Sequence, residues 1–269
     1  MKSFFKIIIV ICAFCLTGNA QVYFNNIYPY GTLVANASSV IEVDTGGYLF
    51  PSCTFGSYSS LLINRINQNG DTLFTKEYIK PSCSFGTGAS NSIIKTVDNN
   101  YVFSGSILDG TSNRDALLVK LNEIGDTLWT RKYGGANFDN ANVVYQTSDS
   151  GFVLMGVTQS FSIGTASDFY LIKTDSLGNF QWQQTYGTTL AEDCVSGQIT
   201  LDGGYILSGH RNNQLHIVKT NSNGIFQWEK VYSGTAGQGF IKQLSDSTYI
   251  LVGTKSISGL AYQAYMAKL

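Results

Sequence analysis

Phe152-Val153-Leu154-Met155 is an aromatic residue followed by three apolar ones, and the same opening returns at Tyr48-Leu49-Phe50, Tyr101-Val102-Phe103, Tyr205-Ile206-Leu207 and Tyr249-Ile250-Leu251-Val252. Successive openings lie 53, 51, 53 and 44 residues apart, so the chain is an array of five units. A second landmark follows in each unit: Leu61-Leu62-Ile63-Asn64-Arg65, Leu117-Leu118-Val119-Lys120, Tyr170-Leu171-Ile172-Lys173, His216-Ile217-Val218-Lys219 and Tyr265-Met266-Ala267-Lys268. In the first four units a turn comes next, ending at Gly70, Gly125, Gly178 and Gly224 after an Asn or Asp three residues earlier. Asn or Asp bonds the local backbone there, and Gly takes the φ > 0 position that closes a tight hairpin. An aromatic pair four residues apart then recurs: Phe74 and Tyr78, Trp129 and Tyr133, Trp182 and Tyr186, Trp228 and Tyr232. Each unit therefore holds four strands, a to d.

Apolar stretches of four to seven residues, punctuated by Gly, Asn, Asp and Ser, exclude a helical reading and make the chain all-β. Strands b and c are apolar on consecutive positions, which requires both faces of each small sheet to be covered. Sheets stacked face to face around an axis meet that requirement, so the expected architecture is a five-bladed β-propeller of four-stranded antiparallel blades. The fifth unit stops at Leu269, after strand c. Near the other end Phe24 and Tyr28 reproduce the strand-d separation of four with no b or c before them. The N-terminal strand is thus expected to complete the last blade and close the ring, since an open array would leave both terminal edges unpaired.

Residues 1–20 read as a signal peptide: Lys2 and Lys6 precede the apolar run Ile7 to Leu16, and Gly18-Asn19-Ala20 supplies small residues for cleavage. The run is too short to span a membrane comfortably. The propeller domain is then 21–269, secreted or periplasmic. Charged residues make up 13%, about half the usual share of a soluble protein. Removing Lys2 and Lys6 leaves 17 − 2 = 15 basic against 18 acidic residues, a mature charge of −3. With no basic stripe, nucleic-acid binding is not expected. The protein is expected to be a monomer.

Cleavage leaves Cys53, Cys83 and Cys194. Cys53 ends strand b of the first blade and Cys83 lies in the loop leaving it. Those two loops emerge on the same face, and an oxidising compartment favours a Cys53–Cys83 bridge, against the alternative of two unconnected small residues. Cys194 reads as a buried small residue on strand a.

Once Cys12 and Cys15 leave with the signal peptide, the mature chain lacks a nucleophile elbow, a phosphate loop, a His-Glu-x-x-His helix and closely spaced cysteines. Its two histidines, His210 and His216, have no companions that would make a metal site, and neither metal nor cofactor is expected. The Lys or Arg once per strand c, Arg65, Lys120, Lys173, Lys219 and Lys268, reads as a structural partner for an acid. Five-bladed propellers include glycosidases that set carboxylates around the axis. Asp139 and Glu192 align in adjacent blades near the start of strand a, so a pair across a glycosidic bond is one reading.

Two stretches carry a family likeness: Asp202-Gly203-Gly204-Tyr205-Ile206-Leu207-Ser208-Gly209, and Asp168 through Lys173, Asp175, Gly178 and Trp182 to Tyr186-Gly187. They resemble the propeller repeats of secreted proteins from Bacteroidota-type bacteria. The likeness covers the whole mature chain and implies an extracellular or periplasmic propeller, since such repeats commonly form extracellular regions of surface proteins. Within that frame the expected function is a binding or scaffold module for carbohydrate or protein. The alternatives are a glycan-processing enzyme and a structural spacer. Ligand contacts are expected on the b-to-c and d-to-a loops, which vary and carry Tyr30, Phe55, Tyr58, Phe85, Arg114, Phe138, Asp139, Phe161, Glu192 and Arg211.

Overall fold

The structure is a computed structural model and describes residues 28, 34–37, 39–55, 60–78, 83–87, 91–109, 113–233, 235–255 and 263–269. The signal-peptide reading and the Phe24 part of the closing strand lie outside them.

The described chain is strand and turn throughout, with no helix. Blade one holds β1 (Val34–Ala37) and β2 (Ile41–Glu42), two pieces of an interrupted strand a, followed by β3 (Tyr48–Phe55), β4 (Leu61–Ile66) and β5 (Thr72–Tyr78). Blade two repeats this with β6 (Cys83–Thr87), β7 (Ile93–Lys95), β8 (Tyr101–Asp109), β9 (Arg114–Leu121) and β10 (Thr127–Tyr133). Blade three is β11 (Asp139–Gln146), β12 (Phe152–Thr158), β13 (Asp168–Thr174) and β14 (Phe180–Tyr186). Blade four is β15 (Glu192–Ile199), β16 (Tyr205–Arg211), β17 (Gln214–Thr220) and β18 (Phe226–Tyr232). Blade five is β19 (Thr235–Gln243), β20 (Tyr249–Lys255) and β21 (Gln263–Lys268). Neighbouring strands in each blade run antiparallel in sequence order.

The consecutive apolar residues of strands b and c divide between two faces, as the pattern requires. Phe152, Leu154, Tyr170 and Ile172 pack toward blade two, while Val153, Met155, Phe169 and Leu171 pack toward blade four. Four cores result, one at each junction between consecutive blades. Leu154 and Leu171 are fully buried, so truncating either to Ala costs about 2–5 kcal/mol. Strand a carries a bulge in blades three and four, between Ala141 and Val143 and between Cys194 and Ser196. Gly156 and Gly209 lie opposite, where a Cβ would sit within 2 Å of the Asn140 or Asp193 carbonyl oxygen. No side chain fits that approach.

The expected architecture holds in its coarse form: all-β, five antiparallel blades stacked face to face in propeller style. The fifth blade has three strands among the described residues, and no closed sheet joins it to the N-terminal segment. The closing strand is the part of the expectation that the described residues do not contain.

Candidate functional site

The per-blade cation on strand c finds its acid in the a-to-b turn of the same blade. Lys120 pairs with Asp98 at 2.6 Å, Lys173 with Asp149 at 2.8 Å, Lys219 with Asp202 at 2.8 Å and Lys268 with Asp246 at 3.1 Å. In blade one Arg65 meets Thr45 Oγ1 at 3.0 Å, Thr having replaced the acid. Hydrogen bonds from the lysines hold the Asp149 and Asp202 carboxyls down at about 2, against the burial that opposes them. These pairs knit the turn to the sheet edge and recur too regularly to mark one site.

A second repeated device joins blades. The strand-d tyrosine of one blade donates its hydroxyl to the glycine carbonyl in the c-to-d turn of the next. Tyr133 reaches Gly178 O at 2.6 Å, Tyr186 reaches Gly224 O at 2.5 Å, and Tyr78 bonds Gly125 O. Tyr28, 20 residues before the first complete strand b, reaches Gly70 O at 2.9 Å in the same way and packs on Phe50 at 5.7 Å.

The b-to-c and d-to-a loops share one face, and there the candidate residues divide. Tyr30 and Tyr58 lie outside the described residues. Phe55 ends β3 and Phe85 lies in β6, their side chains also outside the description. Phe138 and Phe161 are each 38% exposed, with Ile163 and Leu190 exposed beside them. Gln159 N–H bonds the Phe138 carbonyl at 2.7 Å, which ties the two loops together, and Phe161 rests on Tyr170 at 5.8 Å.

Beneath this strip the acids are buried. Asp139 accepts from Thr158 Oγ1 at 2.5 Å, Ser160 Oγ at 2.6 Å and the Gly135 amide at 2.9 Å, which spends the carboxylate on fastening the loop. Glu192 Oε1 accepts from Thr188 Oγ1 at 2.8 Å and Arg211 Nε at 2.7 Å, while its Oε2 is buried without a partner. Arg211 also holds Glu229 through both terminal nitrogens, at 2.7 and 3.3 Å, and Glu229 Oε2 stands 2.9 Å from His216 Nε2. His216 stacks on Phe169 at 4.8 Å, and burial pushes its pKa below the usual imidazole value, keeping it neutral. Arg114 lies half-buried near Ser106 Oγ, 3.3 Å away. Asp168, which the sequence marks only as a repeat landmark, is fully buried, bonds the Ile163 amide at 2.9 Å and leaves Oδ1 unpaired. Burial, with Glu192 nearby, raises its pKa. The Asp168 side chain fits only because Gly187 has no Cβ, which would lie 2.3 Å from Oδ1.

Cys53 is buried in β3 and Cys194 is buried in β15. Burial pushes the Cys194 thiol up to about 12. Cys83 opens β6, but its side chain is outside the description, so the bridge stays an expectation. Among the described residues no group of three or more His, Cys, Asp or Glu is disposed to hold a metal ion. No described helix is long and apolar enough to cross a membrane.

Clefts open on the opposite face, among the a-to-b and c-to-d turns; the one of about 480 Å³ lies on blade one alone, lined by Glu42, Thr45 and Gln68 among others, and two more lie between blades. One of about 360 Å³ lies between blades one and two, lined by Asp44, Lys95, Tyr101 and Glu123 among others. The other, about 320 Å³, lies between blades three and four, lined by Ser148, Asp149, Ile199, Leu201, Gly203 and Tyr205 among others. The short, repetitive turns that form these clefts carry no signal of loop variability, so the sequence marks only the other face.

No family model and no curated protein matches the sequence. Solved structures do resemble its fold. A protein of unknown function from Dyadobacter fermentans aligns with a TM-score of 0.60 at 12% identity, over 90% of this chain and 77% of that one. A protein of unknown function from Bacteroides caccae aligns at 0.52 and 11% identity, over 85% and 74%. At such identities the likeness is one of fold.

Proposed function

We propose that the exported chain, from Gln21 onward, is a five-bladed ring that serves as a binding or scaffold module for carbohydrate or protein outside the cytoplasm. The observation that carries this reading is the strip of Phe138, Phe161, Ile163 and Leu190, exposed on a rigid base of fully buried strands. Partly exposed aromatic rings on loops fastened by buried acids, Ser160 to Asp139 and Ile163 to Asp168, offer contact area at low ordering cost. The glycosidase alternative fits less well, because Asp139 and Glu192 are both 0% exposed and turn their bonded oxygens to the protein's own donors. A glycan and protein array probed with the mature chain tests the reading. Binding that Phe138→Ala and Phe161→Ala weaken without lowering the melting temperature supports it. Turnover of a glycan, or an array on which no ligand loses binding through either substitution, refutes it.

Closure by the segment Phe24 to Tyr28 belongs to the same proposal. Tyr28 makes to blade one the bond that each strand-d tyrosine from blades one to three makes to the blade after its own. Blade five also presents an apolar row, Phe240, Val252 and Met266, which are neighbours across its three strands and 41%, 41% and 72% exposed. The matching row of blade three, Val143, Met155 and Leu171, is fully buried against blade four. Ring closure gives the blade-five row the same kind of cover from blade one and turns Tyr28 into the strand-d tyrosine of the last blade.

A further inference from the structure

The residue that ends strand a plays the same part at several junctions, reaching across to the a-to-b turn of the preceding blade. Gln146 Oε1 accepts from the Val97 amide at 2.9 Å while its Nε2 donates to Ser150 O at 3.1 Å. Gln243 repeats both bonds, accepting from the Leu201 amide at 2.7 Å and donating to Ser247 O at 3.4 Å. At the first junction Lys95 forms an ion pair with Asp44 instead. Between blades three and four the position is Ile199, which has no polar atom to offer. The amide that corresponds to Val97 and Leu201 is Ser148 N–H, and the carbonyl that corresponds to Ser150 and Ser247 is Gly203 O. Among the described residues neither has a hydrogen-bond partner. Both residues line the cleft of about 320 Å³ between blades three and four.

We propose that this cleft binds the acetamido group of an N-acetylated amino sugar. Its carbonyl accepts from Ser148 N–H and its N–H donates to Gly203 O, the two partner positions that glutamine carboxamides occupy at the flanking junctions. The rest of the lining fits the remainder of such a ligand. Ile199 and Leu201 supply an apolar spot for the acetyl methyl, Tyr205 offers a ring wall, and Ser222 adds a hydroxyl for a polyhydroxylated ring, while the Thr147 and Thr200 hydroxyls donate to Asp149 and Asp202. Asp149 and Lys173 neutralise each other at 2.8 Å, so the site favours a neutral ligand. The volume lies at the lower end of small-ligand pockets, suited to one sugar unit. This site is on the face opposite the Phe138 strip and stands independently of it.

The test is an amide-resolved NMR titration of the ¹⁵N-labelled mature chain with the trimer of N-acetylglucosamine. The probes for comparison are the glucosamine trimer, a glucose trimer and N-acetylglutamine amide. The acetylated trimer should shift the Ser148, Leu201 and Gly203 amides, and the two sugars without acetyl groups should not. Ile199→Gln installs the residue of the flanking junctions. It should cut affinity about ten-fold or more, through the lost hydrogen bond and the filled volume, and leave folding intact. Phe138→Ala should leave the titration unchanged even if it abolishes binding at the loop face. Any one of four results overturns the assignment: equal binding of acetylated and deacetylated trimers, tighter binding of the glutamine amide, undiminished affinity in Ile199→Gln, or no shift with the acetylated trimer.

Discussion

Tyr186→Phe isolates one inter-blade bond. The ring stays in the core between blades three and four, where Tyr186 is 8% exposed, and only the hydroxyl is lost. That hydroxyl donates to Gly224 O at 2.5 Å, and Gly224 is itself buried, so the substitution leaves a carbonyl without its donor. An unsatisfied buried partner costs about 1–3 kcal/mol. For a chain of this length each kcal/mol lowers Tm by about 2–4 °C. Urea denaturation followed by tryptophan fluorescence should show the midpoint fall with the slope unchanged. Tyr133→Phe should cost a similar amount, and because the two sites serve different junctions the double variant should add within about 0.5 kcal/mol. Burial also pushes both phenols above their ordinary range near 10. A group with a raised folded pKa contributes stability that is complete below its unfolded pKa and is lost as pH climbs toward the folded one. Stability should therefore stay level up to pH of about 10 and fall above it, with a smaller alkaline loss in the phenylalanine variants. Tyr28→Phe carries the same logic to ring closure and should cost as much as the other two. A change within about 0.5 kcal/mol for Tyr186→Phe would refute the claim that these bonds tie the blades together.

Asp202→Asn strips the counter-ion from Lys219, whose side chain is 4% exposed, and should lower the urea midpoint at pH 7. Because the Asp202 pKa is lowered to about 2, its contribution exists above the unfolded value and disappears as pH falls through about 2, so wild type should lose more stability between pH 4 and 2 than the variant does. Deleting residues 21–30 should uncover the edge of blade five and cause aggregation or loss of cooperative melting, seen by size exclusion and calorimetry; a monomer that melts unchanged would remove closure from the proposal. Native alkylation of the exported protein should spare Cys194, buried and with its thiol pushed up to about 12. Alkylation after unfolding, followed by peptide mass analysis, should find one free thiol and a Cys53–Cys83 peptide, and three alkylated thiols would exclude the bridge.

The repeat was legible because its signals are local. Gly70, Gly125, Gly178 and Gly224 have φ values of 84°, 82°, 75° and 73°, as their Asn- or Asp-led turns require. The consecutive apolar runs fall between two faces, as burial on both sides demands. The interruption of strand a in blades one and two was not legible, since nothing in the local chemistry of residues 38–40 or 88–92 distinguishes a gap from a bulge. Nor was the fate of the acids. Whether Asp139 faces solvent or three donors depends on Thr158 and Ser160, about twenty residues along the chain, and no spacing rule connects them.

The junction bridge shows where sequence becomes informative once register is known. Glu42, Lys95, Gln146, Ile199 and Gln243 are unremarkable one by one, yet they hold the same place in five blades, and three of them span a junction. Against that background Ile199 stands out as a lost bridge, and the gap it leaves coincides with a cleft. Glu42 is the remaining member. It is exposed at the margin of blade one, and its counterpart across a closed ring is the amide of Ser245, the residue of blade five that corresponds to Val97 and Leu201. A carboxylate oxygen accepts from an amide as readily as a glutamine Oε1 does. The position that spans three of the four described junctions is therefore, in blade one, a side chain able to make the same bridge across the junction that the proposed ring closure would add.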